Sequence, residues 1–282
     1  MRALLLASLV ALAGCSRFTT PTPPEPVPTP NPIPAPQPEN PHRYGRPMLS
    51  GPFYATDQRY GFFDTPGNIE VILAGTDPAR QIGTRLIVAD AEDPLGTGVR
   101  SAALVPCDRL AAVYLNVGAN GIGGGGGDGD AELPRARAIA DACGKPVLVY
   151  YDKPNGLDPW VRDLLRPGDI IGVNAYPDTI PADEDLARDL ADLRVALALA
   201  SSWGHPIAVI RPFYTRSEQW SLAYILSFQV PITDLIRETP AVVMDLWFSW
   251  SRPDLPRLDG ATDYPALLQH AAWLDEAART GR

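Results

Sequence analysis

The chain has 282 residues, 45% of them hydrophobic, which is enough apolar material for one large core and far too much for a disordered polypeptide. Its formal net charge is −9, and its 24 basic residues are scattered rather than clustered. An extended nucleic-acid-binding surface is therefore excluded as the first reading.

The N-terminus opens with Arg2, runs through the apolar stretch Ala3 to Ala13 and ends on Leu12-Ala13-Gly14-Cys15. The stretch is too short to span a bilayer, but charge, apolar run and small residues follow the order of an export signal. It resembles the lipobox of bacterial lipoproteins. The resemblance implies a signal peptide over 1–14, lipidation of Cys15 and a membrane partner reached through that anchor. Ser16, where an Asp would retain the protein, implies the outer membrane. A secretory signal that merely contains a cysteine is the alternative.

Residues 15–47 read as a disordered linker. From Thr20 to Pro47 a proline stands at about every second position, which removes backbone donors and favours extended polyproline conformation. At about 3 Å per residue this stalk would hold a domain nanometres from the membrane, unless the prolines serve as a ligand for a partner domain. No second linker interrupts 48–282, so one large domain is expected there.

Within it, short apolar runs bounded by Gly, Pro and Asp predict strands at Ile69 to Ala74, Arg85 to Ala89, Ala111 to Val117, Pro146 to Tyr151, Ile170 to Ala175, Pro206 to Arg211 and Ala241 to Phe248. A further strand is expected at Met48 to Tyr54. Most are apolar throughout, as strands covered on both faces are. Between or after them, helices are expected at Glu132 to Cys143, Pro159 to Leu165, Asp183 to Trp203, Ser217 to Ile236 and Tyr264 to Thr280. The alternation predicts an α/β fold, a (β/α)8 TIM-like barrel with its least regular units before Ala111.

In such a barrel, function sits at the C-terminal ends of the strands. The polar and aromatic residues there are Asp90 and Glu92, Asn116, Tyr150 and Asp152, Asn174 and Tyr176, Arg211 and Phe213, and Asp245, Trp247 and Trp250. Spacing of two puts the members of each pair on one face of a strand, so all are expected to converge on one mouth. Carboxylates beside aromatic platforms suit carbohydrate, because sugar rings stack on Tyr and Trp while acids act at the glycosidic centre. The expected catalytic residues are Asp152 with Asp245 or Asp90. Asn116, Tyr151, Asn174, Tyr176, Arg211, Trp247 and Trp250 are the expected substrate-binding residues. Arg211 has two readings, a clamp for an acidic sugar or a structural bridge to Asp152 or Asp245.

The segments 169–177 (Asp-Ile-Ile-Gly-Val-Asn-Ala-Tyr-Pro) and 243–250 (Val-Met-Asp-Leu-Trp-Phe-Ser-Trp) resemble late strands of glycoside hydrolase TIM barrels. The resemblance covers roughly Ala111 to Trp250 and implies carbohydrate binding with glycosidase chemistry. The sequence departs from that pattern where retaining enzymes place two glutamates. Tyr151-Asp152-Lys153 stands at the first position and Ile210-Arg211-Pro212, without an acid, at the second. A glycosidase, a glycan-binding barrel that lost its nucleophile and a structural lipoprotein without ligand all stay open.

The glycine-rich loop 118–130 matches a dinucleotide fingerprint only because its composition matches almost anything. Asp128, Asp130 and Glu132 within or after it could cradle calcium, with a plain surface loop as the simpler reading; no other cofactor is expected. Cys107 and Cys143 each precede a predicted strand and lie in a compartment that permits disulfides, so they are either bonded or two buried thiols. His42, His205 and His270 lack metal-ligand spacing, and the Gly-x-Ser-x-Gly elbow of serine hydrolases is absent.

Overall fold

A computed structural model describes residues 39–54, 67–72, 86–91, 101–118, 121–122, 129–153, 155–176, 185–213, 221–249 and 265–282. The expected signal peptide, Cys15, the expected linker up to residue 38, Glu92, Asp128 and Trp250 lie outside the described residues.

Eight strands run parallel: β1 (Leu49–Tyr54), β2 (Ile69–Ile72), β3 (Leu86–Asp90), β4 (Leu110–Gly118), β6 (Val147–Tyr151), β7 (Ile170–Asn174), β8 (Ile207–Pro212) and β9 (Val242–Ser249). A two-residue strand, β5 (Gly121–Ile122), adds antiparallel to β4. Each long strand pairs with the next, β3 pairs with β4, and β9 pairs with β1, so the hydrogen bonding returns on itself. This is a TIM-like α/β barrel, as the alternation of elements predicts. β6, β7 and β8 are buried at every position, which explains their unbroken apolar sequences.

Helices α1 (Ser101–Leu104), α2 (Gly129–Cys143), α3 (Leu186–Ser202), α4 (Leu222–Glu238) and α5 (Pro265–Thr280) follow β3, β5, β7, β8 and β9, and a 3-10 helix (Pro159–Leu164) follows β6. Local chemistry sets the starts of α3 and α4. The side chains of Asp185 and Ser221 accept hydrogen bonds from the amides of Arg188 and Tyr224, satisfying donors that a helix leaves open at its N-terminus. The Pro159 element is a tight 3-10 turn rather than the expected α-helix. Cys107 and Cys143 are joined, tying the turn before β4 to the end of α2 with their Cα atoms 5.1 Å apart.

The compact unit begins at Asn40, not at Met48, so the linker expected over 15–47 is too long at its C-terminal end. His42 and Tyr44 are fully buried. Asn40 donates to the carbonyl of Trp273 (2.8 Å), and Arg46 donates to the carbonyls of Thr239 (3.0 Å) and Val242 (2.9 Å). Main-chain groups at the ends of α4 and β9 thus find partners in this segment, which its surrounding prolines disguised as linker.

Candidate functional site

Residues in register on neighbouring parallel strands share a face, and this sorts the candidate side chains. On one face, Phe53 pairs with Phe248 and Val71, Asp90 with Tyr114, Asn116 with Tyr150, and Tyr150 with Gly172. Rings from four strands and from Tyr176, just beyond the end of β7, meet on this face. Phe53 lies 5.4 Å from Tyr114, 6.0 Å from Tyr150 and 5.1 Å from Phe248, while Tyr176 lies 5.5 Å from Phe248. Phe53 on β1 reaches Tyr114 on β4 and Tyr150 on β6, strands not adjacent to it, which is possible only across the lumen, so this is the inner face. Gly172 makes room there, since a Cβ would approach the Tyr150 Cα to 2.9 Å.

Above this aromatic layer stands Asp152. Its Oδ1 accepts from the Tyr150 hydroxyl and from Asn174 Nδ2, each at 3.3 Å. The residue is exposed at the rim, but the walls beneath crowd its carboxyl. Burial pushes the carboxyl above its ordinary range, and the hydrogen bonds from Tyr150 and Asn174 pull it part of the way back. Lys153 turns aside and pairs with Asp158 at 2.9 Å, so it does not hold Asp152 ionised. Asp90, Asn116, Asn174 and Tyr176 belong to the same inner face, and Asp90, Asn174 and Tyr176 are buried there.

The other strand face carries a second polar cluster, beneath the helices. Arg211 donates through Nε to Asp245 Oδ1 (2.8 Å) and through Nη2 to Oδ2 (2.7 Å), with both side chains fully buried. Its Nη1 reaches the Gln229 carbonyl (2.8 Å) and Thr233 Oγ1 (3.2 Å) on α4. The Tyr44 hydroxyl donates to Asp245 Oδ2. His42 Nδ1 lies 2.8 Å from Thr233 Oγ1, and its Nε2 lies 2.7 Å from His270 Nδ1. Burial drives the Asp245 carboxyl up, opposed by the Arg211 guanidinium. It drives the His42 imidazole down to about 2, with Arg211 and His270 adding to the effect, and His270 down to about 4, with Arg211 adding again.

The expectation that all the strand-end residues share one mouth is therefore corrected. Asp245, Arg211 and Trp247 point away from the lumen. Arg211 is the structural bridge to Asp245 and not a clamp for an acidic sugar, and Trp247 stacks on Phe213 at 5.6 Å. Tyr151 also faces outward, its hydroxyl donating to Asp158. Burial and the hydrogen bond with Asp158 raise that hydroxyl well above its usual range. Asp152 and Asp90 remain as inner-face carboxylates, and they sit at different levels, because Asp90 is level with Tyr114 whereas Asp152 lies beyond Tyr150, the partner of Asn116.

In the candidate calcium loop, the buried Glu132 carboxylate is taken up by Arg135 at 2.9 Å, and among the described residues no group of three metal-binding side chains occurs.

One residue was missed in the sequence. Asn155, in the turn after β6, has a left-handed backbone (φ 45°) and donates its amide to the Asn174 carbonyl at 2.8 Å. It is only 6% exposed, and neither its Nδ2 nor its Oδ1 has a partner. The Pro154-Asn155-Gly156 order signals a tight turn, but nothing in it signals a buried carboxamide.

No family of known proteins matches the chain, and no curated protein matches it either. Among solved structures it is similar to a dihydroorotase (12% identity, 71% of this chain and 69% of that chain, TM-score 0.36). It is also similar to an engineered protein (14%, 84% and 70%, TM-score 0.42). A third similarity is to an enolase from Pseudomonas fluorescens with bound magnesium, potassium and tartrate (12%, 80% and 60%, TM-score 0.38). Likeness at this level carries no argument about activity; the barrel rests on the strand pairing itself.

Proposed function

We propose that this is an envelope lipoprotein, anchored through lipid on Cys15 at the outer membrane, whose barrel mouth binds carbohydrate. The observation that carries the binding reading is the Asp152 carboxylate, held by Tyr150 and Asn174 at the rim of a lumen floored by Phe53, Tyr114, Tyr150, Tyr176 and Phe248. Aromatic faces beside a few convergent polar groups are what a hydroxylated ring requires.

A second reading, glycosidase activity, is favoured by the upward shift of the Asp152 carboxyl, since a general acid must hold its proton near neutral pH. Its partner would be Asp90, because Asp245 is committed to Arg211 on the other face. The different levels of Asp90 and Asp152 favour binding over hydrolysis.

The test uses the chain from residue 15 with Cys15→Ser, alongside its Asp152→Asn variant, on envelope polysaccharides and peptidoglycan, following retention and reducing ends together. Retention without release, weakened about tenfold or more in the variant, is the expected result. Release that disappears in the variant would make the protein a glycosidase. Neither retention nor release would leave a scaffold and end the carbohydrate reading.

A further inference from the structure

Three buried carboxamide atoms at the C-terminal ends of β6 and β7 have no partner: Nδ2 and Oδ1 of Asn155 and Oδ1 of Asn174. A buried polar atom without a partner costs about 1–3 kcal/mol, so a cluster of them beside an open carboxylate calls for a ligand. The backbone holds Asn155 in place. Its amide is bonded to the Asn174 carbonyl at the end of β7, and Asn174 Nδ2 is itself bonded to Asp152. Asn155 is thus tied through its backbone to the same end of β7 whose side chain meets Asp152. Asn155 sits at a positive φ that asparagine adopts more readily than most residues.

The chemistry of the open atoms defines what fits. Asn155 Oδ1, Asn174 Oδ1 and the second oxygen of Asp152 accept hydrogen bonds, while Asn155 Nδ2 donates. Acceptors dominate, so the ligand must bring donors and at least one acceptor, as adjacent hydroxyl groups do. A carboxylate or sulfate brings acceptors only and would meet the Asp152 charge, with Asp90 on the same inner face. Among the described residues, the cations nearest in sequence to these strand ends are spent elsewhere, Lys153 on Asp158 and Arg211 on Asp245.

Resting on the carbohydrate reading above, we infer that Asn155 and Asn174 form a carboxamide subsite beside Asp152 that takes vicinal hydroxyls of a neutral sugar and turns away uronate and sulfated sugars. Asn155 is then a specificity-determining residue whose side chain serves the ligand rather than the fold.

The test measures calorimetric affinity of the Cys15→Ser chain for a neutral N-acetylglucosamine oligomer and for an oligogalacturonate of equal length, in the native form and in Asn155→Gly. Glycine accepts the positive φ and removes only the carboxamide. The native chain should bind the neutral oligomer at least tenfold tighter than the acidic one. Asn155→Gly should weaken neutral binding by about tenfold or more, with a melting temperature unchanged or raised by about 2–4 °C.

Equal or tighter binding of the acidic oligomer would overturn the inference, as would neutral affinity within twofold in Asn155→Gly. A melting temperature lowered by more than a few degrees would also overturn it, because the carboxamide would then serve the fold. Neutral binding that survives Asn155→Gly removes the subsite and leaves the carbohydrate reading standing, whereas a native chain that binds neither oligomer removes both.

Discussion

The two faces of the same barrel strands carry polar clusters of opposite character. Outside the barrel, Asp245, Arg211, Thr233, Gln229, His42 and Tyr44 form a network in which both ends of the buried ion pair are multiply bonded. Inside, Asp152 has two long hydrogen bonds, and the Asn155 and Asn174 carboxamides keep open atoms. The Arg211–Asp245 pair at the centre of the outer cluster has its polar atoms taken up by protein groups, although Gln229 Oε1 beside it has no partner, so the work of the pair is to hold the 40–47 segment and α4 on the barrel. The inner carboxylate is weakly bonded and reaches the rim. A fully enclosed ion pair on one face and an exposed carboxylate on the other distinguish the two clusters.

The sharpest way to break this comparison is to cut the outer network at its centre. Arg211→Met leaves Asp245 as a buried charge beside Tyr44, which should cost about 3–5 kcal/mol in urea unfolding; replacing Asp245 with Leu as well should recover much of the loss. A small effect of the single change would show that the outer cluster is not a scaffold.

Acid probes the same region. His42 and His270 are held neutral in the fold, at about 2 and about 4 against an ordinary value of 6.5. Between pH 6.5 and 4 the unfolded chain takes up protons that the folded chain refuses, so stability must fall as pH falls through that window. The raised carboxyls of Asp152 and Asp245 act in the opposite sense, binding protons in the fold at pH values where the unfolded chain has lost them. The urea midpoint should drop between pH 7 and pH 5, and His270→Gln should shrink that drop; an undiminished drop would remove the histidines from the account.

His42→Ala should cost about 1–3 kcal/mol, since it strips Thr233 and His270 of a partner in a buried setting. At the other extreme, Asp152→Asn should change stability by no more than about 0.5 kcal/mol, because the residue is exposed at the rim and only weakly bonded. A large loss in that variant would erase the distinction between the two clusters.

Much of the fold could be read from the chain. Fully apolar runs such as Val147 to Tyr151 and Ile170 to Val173 marked buried parallel strands, Asp185 and Ser221 sit where helices α3 and α4 start, and Cys107 and Cys143 sat where neighbouring units could join them. The site was legible only in part, for a physical reason. Spacing of two groups Arg211 with Phe213 and Asp245 with Trp247 but cannot say which face of the sheet they occupy, because a strand buried on both sides has no polar alternation to fix its phase.

Asp152 and Asn174 lie on the inner face, whereas Arg211 and Asp245 lie on the outer one. The 40–47 segment was hidden by the prolines around it. Asn155 was hidden because a turn asparagine is ordinarily explained by its backbone.

The central claim is that the inner cluster is a ligand site and the outer one is not, and side-chain amide resonances test it directly. Titration of the Cys15→Ser chain with the neutral oligosaccharide, followed by nitrogen-resolved NMR, should move the carboxamide signals of Asn155 and Asn174 and leave that of Gln229, bonded to the Pro212 and Ile225 carbonyls, in place. Movement of Gln229 with Asn155 and Asn174 unmoved would contradict the account.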